Sequence, residues 1–100
     1  MTLERFRGTK FTLGQTVMTQ GVADKVAEDA GFAQFVYASL KRHANADWGD
    51  LCEEDKQVNE AALKDGDRIL SAYEKEGLPK LWIITESDRS VTTCLFPEEY

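Results

Sequence analysis

The sequence is poor in the residues that carry most metal and redox chemistry: its 100 residues include one histidine, two cysteines and two prolines. Cys52 and Cys94 are far apart and form no CxxC pair, so we expect reduced thiols, one of them in the core. The candidate zinc ligands are His43, Asp47, Asp50 and Cys52, and their spacing matches no known structural zinc site. We therefore predict no bound metal and no cofactor.

Glycine-rich loops and long apolar runs are also absent. The seven glycines are scattered, so the chain has neither a phosphate-cradling loop nor a nucleophile elbow. No run approaches the ~18 apolar residues of a membrane span, and the first residues include no apolar stretch of signal-peptide length, so we place the protein in the cytoplasm. A net charge of −6 argues against direct nucleic-acid binding, because phosphate neutralisation requires clustered Lys and Arg.

The composition that is present is typical of a globular domain, with 42% hydrophobic and 30% charged residues. At this length we expect one α+β domain over residues 1–100, with residues 1–9 as a frayed end. The elements are predicted in the order β-α-α-α-β-β-β. This order favours an antiparallel sheet of three to four strands with two to three helices packed on one face.

Strands are predicted where apolar residues alternate or cluster. Alternation indicates strands at 10–19 and 68–74, and two β-prone segments in 80–100 indicate a C-terminal hairpin. The continuous apolar run around Trp82 predicts a central strand. That strand is either covered on both faces, or covered on one face with Trp82 at a partner surface on the other.

Helices are predicted from three-and-four spacing. The first spans 22–30 and ends before Gly31, which we expect in a left-handed conformation. The second spans 32–43. His43 falls on the apolar side of its end, where we expect a packed residue or a capping charge rather than a base.

A third helix is predicted from a capping signal. Asp50 and Glu53, three residues apart, match a capping-box pair. The predicted helix runs from there to Lys64. Its apolar stripe is thin, so one side must be solvated. Gly66 is a stop signal, with the alternative that part of 67–72 prolongs the helix.

Two segments are candidate sites. In the first, Trp48 lies between Asp47 and Asp50; it is either a hydrophobic staple beside a helix cap, or part of a recognition loop, since tryptophan is enriched at binding hot spots.

In the second segment, Glu86, Asp88, Arg89 and Ser90 lie at a strand connection. They form either a turn in which Asp88 and Ser90 bond nearby amides while Arg89 pairs with an acid, or a contact in which Arg89 binds a carboxylate or phosphate.

Motifs over most of the chain carry a resemblance to a known family. They are Asp47-Trp48-Gly49-Asp50-Leu51, Asp55-Lys56 with Asn59, Ser71-Ala72-Tyr73, Leu81-Trp82-Ile83-Ile84-Thr85-Glu86, Asp88-Arg89-Ser90, Thr92-Thr93 and Pro97-Glu98-Glu99-Tyr100. The sequence resembles small bacterial proteins of about this length that are described as plasmid-related, some of which carry a restriction-enzyme name. The resemblance implies bacterial origin and carriage on mobile elements, and it implies no catalytic residues. We discount the restriction-enzyme name, because the sequence has neither the Gly-rich cofactor loop nor the catalytic tetrapeptide expected of a methyltransferase subunit, and we do not expect 100 residues to hold that fold.

Together these features predict a non-enzymatic protein-interaction module that binds another protein, with a homodimer also open. The partner-binding candidates are Asp47, Trp48, Asp50, Glu86, Asp88 and Arg89. One alternative is an inhibitor of a nucleic-acid-binding restriction or defence system whose acids imitate phosphates. Another is a small hydrolase or ligand-binding protein, which requires His43 and the charged candidates to converge in one pocket.

Overall fold

The computed structural model describes residues 9–100, which form four strands and three helices in the order β-α-α-α-β-β-β. The strands are β1 (Gln15–Met18), β2 (Ile69–Tyr73), β3 (Leu81–Thr85) and β4 (Val91–Leu95), and the helices are α1 (Gln20–Glu28), α2 (Ala30–Ala44) and α3 (Glu53–Asp65). A 3₁₀ turn, Pro97–Glu99, follows β4. The predicted α+β class and element order are confirmed. Apart from Thr9, the segment predicted to fray lies outside the described residues.

The four strands form one sheet in the order β1-β4-β3-β2. β3 pairs antiparallel with both β2 and β4, so the sheet is mostly antiparallel. β1 adds a parallel pair along β4, in which the Gln15 N–H donates to the Ser90 carbonyl at 2.9 Å. A parallel pair needs a long crossover, and here the three helices and the other strands lie between β1 and β4 in the chain.

The first strand is shorter than the predicted 10–19. Gly14 has a φ of +66° and lies against the Ser90 backbone, so the chain bends before β1 begins. Phe11 and Leu13 pack into the core from the segment before this bend. Alternating burial predicts which side chains turn inward, but a strand also needs a backbone partner, which the local pattern does not specify.

Asp29, and not Gly31, separates α1 from α2. Asp29 has an extended backbone, and its carboxylate accepts the Phe32 N–H at 3.1 Å as the N-cap of α2. This hydrogen bond holds the pKa of Asp29 below its ordinary value. The prediction that Gly31 ends the first helix is therefore wrong, since Gly31 lies within α2.

The start of α3 also differs from the prediction, whereas its end agrees. The N-cap is Cys52, which makes no side-chain capping bond, so the predicted capping box of Asp50 and Glu53 is wrong. Gly66 ends the helix with a φ of +80°, and its N–H donates to Ala62. This is the left-handed stop that glycine adopts most readily.

All three helices pack on the same face of the sheet. The main core joins side chains of α1 and α2 to inward-facing residues of β2, β3 and β4: Val22, Phe32, Phe35, Val36, Leu40, Ala44, Tyr73, Leu81, Ile83 and Cys94, with Leu13 from the segment before β1. A smaller cluster of Trp48, Ala62 and Ile69 lies beside it under α3. One of the two cysteines was predicted in the core; it is Cys94, and Cys52 is exposed.

Candidate interaction surface

The outer edge of β2 is covered by side chains and backbone from the α3 region. The Asn59 side chain acts as a strand partner: its Nδ2 donates to the Leu70 carbonyl at 2.7 Å, and its Oδ1 accepts the Leu70 N–H at 3.2 Å. Further along, the Asp50 N–H donates to the Ala72 carbonyl at 2.7 Å. The outward-facing backbone groups of an edge strand can pair with strands of other chains. Here they are hydrogen-bonded within the protein.

Asp50 and Gly49 are components of this edge. The Asp50 carboxylate accepts the Glu74 N–H at 2.8 Å, just past the end of β2. Gly49 has a φ of +77°, and a Cβ there would collide with the Ala72 carbonyl and the Tyr73 ring. The close approach of this segment to β2 therefore requires glycine, and Asp50 protects a strand rather than capping a helix.

We expect Asn59→Asp to destabilise the protein by about 2 kcal/mol, because the Leu70 carbonyl would lose its donor and face a carboxylate. Asn59 is 4% exposed, so water cannot readily replace the lost bond. Urea unfolding at neutral pH measures the change. Gln57→Glu, which adds the same charge at an exposed position of α3, is the matched control, and an equal loss in both variants would contradict the role of Asn59.

Trp48 is buried and packs as a lid over the smaller cluster. It is 4% exposed and contacts the rings of Phe11 and His43, with centroids 6.2 and 6.0 Å away. Its Nε1 donates to the Glu60 carboxylate at 2.8 Å. An indole held in this way presents little surface to a partner, so the geometry favours the staple interpretation.

Asp47 is held by Arg42 in a bidentate ion pair, with N–O distances of 2.8 and 3.1 Å. This pairing lowers the pKa of Asp47. The backbone carbonyl of Asp47 also accepts the Tyr73 hydroxyl at 2.7 Å. Asp47 thus fixes the loop that leads to the covered β2 edge.

The second candidate segment is a turn whose polar groups bond within the fold. Ser90 donates from both its backbone N–H and its hydroxyl to Asp88 Oδ1, which lowers the pKa of Asp88. Arg89 donates to the carbonyls of Asp67 and Ala62, at 2.7 and 3.2 Å. The expected pairing of Arg89 with an acid is wrong, because the guanidinium satisfies the C-terminal end of α3 instead. The Glu86 carboxylate makes no hydrogen bond or ion pair within residues 9–100.

A buried chain of hydrogen bonds surrounds His43. Its Nδ1 lies 2.6 Å from Ser71 Oγ, and its Nε2 lies 2.8 Å from Thr85 Oγ1. Thr85 in turn lies 2.7 Å from Thr92, whose hydroxyl donates to the Leu13 carbonyl at 2.7 Å. All four side chains are fully buried.

The end of this chain sets the direction of every bond. The Leu13 carbonyl can only accept a hydrogen bond, so the Thr92 hydroxyl donates to it and accepts a hydrogen bond from Thr85. Thr85 must then accept from Nε2–H of His43. In the neutral ring Nδ1 is left to accept from Ser71, so each proton of the chain is donated once.

Burial lowers the pKa of His43 to about 3, with a further contribution from the Arg89 charge. His43 is therefore a neutral core residue at physiological pH, one of the roles expected for it. Its ring nitrogens are both occupied, which leaves neither for general-base catalysis.

A cleft beside α3 does not gather the cluster required by the enzyme alternative. This cleft has a volume of about 290 Å³ and is lined by Ala46, Asp47, Trp48, Glu53, Lys56, Gln57 and Glu60. Asp47 reaches it, whereas His43, Asp50, Glu86, Asp88 and Arg89 do not line it. Across residues 9–100, no three His, Cys, Asp or Glu side chains are grouped to hold a metal ion.

The face of the sheet opposite the helices is mostly apolar. We call it the open face, and from the strand registers its members are Gln15, Val17, Leu70, Ala72, Trp82, Ile84, Val91, Thr93 and Leu95. None of them joins the helix-side core clusters of the described chain; Gln15 is exposed, Ala72, Ile84 and Leu95 are buried, and the others are half-buried. A solvated sheet face normally carries polar side chains at these positions, so this composition is unusual for a face that no helix covers.

An aromatic and cationic stack crosses the open face. Tyr100 meets Trp82 edge to face, with ring centroids 5.6 Å apart, and is 67% exposed. The Arg68 guanidinium lies 5.3 Å from the Tyr100 ring centroid and donates to the Tyr100 hydroxyl at 2.9 Å. A position of Trp82 at a partner surface was one of the two alternatives that the sequence left open for β3. Nothing in the sequence indicated the stack, because Arg68 and Tyr100 are far apart in the chain.

The fold and this surface define a two-layer α+β domain in which helices cover one side of the sheet and leave the other open. No family model, curated protein or solved structure matches this chain. No helix within residues 9–100 has the length and apolar character to cross a bilayer.

Proposed function

We propose that the protein is a non-enzymatic protein-interaction module that binds its partner through the open face. The observation that carries this proposal is the stack of the exposed Tyr100 and Arg68 on the half-buried Trp82. These are the three residue types most enriched at binding hot spots, and here they are in contact on an apolar surface.

Three of the six residues suggested by sequence are poorly placed for this role. Trp48 is buried, and the side chains of Asp50 and Arg89 are hydrogen-bonded to backbone groups of the protein itself. Partner binding through Trp48 would require the smaller cluster to open. The open face needs no such rearrangement.

The positive charge of Arg68, beside the open face, indicates which kind of partner would fit there. Arg68 forms no ion pair with a carboxylate in the described part of the chain. An unpaired guanidinium beside an apolar patch fits a partner that presents an apolar surface with a carboxylate at its edge. Lys80, at the other end of the β2–β3 pair, is paired with Glu74 at 3.3 Å.

The test compares variants of the stack with a matched control. Tagged wild-type protein, Tyr100→Ala and Arg68→Ala are used to capture proteins from the host lysate, and a captured protein is purified and its affinity measured by calorimetry. We expect Tyr100→Ala to weaken binding about ten-fold or more. Val58→Ala removes an equally exposed apolar side chain from α3, and we expect unchanged binding.

A partner that binds Tyr100→Ala and wild type equally would contradict the open face as the docking surface. Binding lost in Val58→Ala and kept in Tyr100→Ala would move the site to the acidic face of α3. Thermal unfolding of each variant accompanies the binding data, because a binding loss counts only for a variant that remains folded.

A further inference from the structure

The two edges of the sheet are treated differently. Asn59 and Asp50 cover the edge at β2, as described above. At the other edge, Gln15 and Thr19 donate inward to β4. Side chains and backbone groups alternate along a strand, so the intervening residues Thr16 and Met18 direct their N–H and C=O groups outward. No described residue bonds to them.

The open edge also lacks the usual protection. Natural edge strands carry charges, prolines or bulges that prevent pairing. β1 lies within thirteen consecutive uncharged residues, Phe11–Ala23, which is the longest uncharged stretch of a chain with a net charge of −6. Met18 is 43% exposed there.

We propose that β1 pairs antiparallel with β1 of a second copy of this chain, which joins the two sheets into one. The hydrogen-bonding groups of this edge are symmetric about Val17. A two-fold axis through Val17 places Thr16 opposite Met18 of the other copy, and each such pair exchanges both of its backbone hydrogen bonds. The edge is therefore complementary to itself.

Side chains and charge support the same partner. Val17 lies on the open face and would meet Val17 of the second copy, and Met18 would lose its exposure beside the opposite Thr16. Two copies of an acidic protein repel each other over most of their surface. The stretch around β1 adds no charge of its own to this repulsion, and the Glu99 carboxylate beside it is hydrogen-bonded to the Thr19 hydroxyl and the Gly21 N–H.

This pairing is independent of the proposed function and would add to it. The open faces of the two copies would lie side by side on one extended sheet. A partner with two sites could then bind both copies at once and gain from effective concentration.

Sedimentation equilibrium over a wide concentration series tests the pairing on the purified chain alone. We expect a monomer–dimer equilibrium that Met18→Lys weakens about ten-fold or more, because a charge at an edge opposes strand pairing. Met18→Gln, of similar length and uncharged, is the control and keeps most of the affinity. A monomer at every concentration would overturn the proposal and leave the edge to a strand from another protein. A dimer unaffected by Met18→Lys would also overturn it.

Hydrogen exchange followed by NMR locates the interface. The Thr16 and Met18 amides are expected to gain protection as the protein concentration rises, whereas Val17, whose amide faces β4, is protected throughout. Fast exchange of Thr16 and Met18 in a proven dimer would place the interface elsewhere. Tyr100→Ala is expected to leave the dimer intact, so failure of this proposal and failure of the open-face proposal give different results.

Discussion

Lowering the pH from 7 to 3 is expected to remove up to about 5 kcal/mol of stability through His43 alone. The unfolded chain binds a proton on this residue near its ordinary pKa of 6.5, whereas the folded protein does so only near 3. The contribution of His43 is therefore complete above about pH 6.5 and is lost as the pH falls toward 3. Protonation would also force Nδ1 to donate toward Ser71, which already donates to it.

The carboxylates titrate in the same range, so the measurement is a comparison of wild type with His43→Gln. Denaturant unfolding at a series of pH values gives the stability of each. We expect wild type to be the more stable at pH 7, and the difference to shrink steadily below pH 6.5. Parallel curves for the two proteins would contradict the buried neutral histidine.

Trp48→Ala is expected to cost about 3–5 kcal/mol, the range for removing a large aromatic side chain from a core. The indole closes the smaller cluster and touches Phe11 and His43, so its loss leaves a cavity beside the polar chain. Thermal and denaturant unfolding measure the effect.

Two further variants separate packing from hydrogen bonding at this position. Trp48→Phe keeps most of the buried area and loses only the bond to Glu60, so we expect a loss of about 1 kcal/mol. Glu60→Gln keeps an acceptor and should be near neutral. If Trp48→Ala changed stability by less than about 1 kcal/mol, the lid role would be refuted and the recognition-loop interpretation restored.

The candidate residues found by sequence are mostly components of the scaffold. Asp47 fixes a loop through Arg42, Asp50 protects the β2 edge, and Arg89 closes the end of α3. Each was singled out because it is polar and lies at a connection between elements. The same property suits a residue that satisfies exposed backbone groups, and sequence cannot tell these uses apart.

Local patterns in the sequence determined the α+β class, the strands β2 to β4 and the end of α3. The alternation of apolar residues indicates which side chains turn inward, and Gly66 indicates a left-handed backbone. Both properties depend on residues that are close together in the chain. For the same reason the sequence indicated that Trp82 belongs to a strand between others. It left open whether both faces of that strand are covered.

Only the tertiary structure decided the long-range choices. It placed β1 parallel to β4 and brought Arg68 and Tyr100 together on the face opposite the helices. It also chose the partner of each buried polar group, such as Asn59 for Leu70 and His43 for Thr85. These pairings join residues distant in the chain, and their energies depend on burial that forms only when the layers pack.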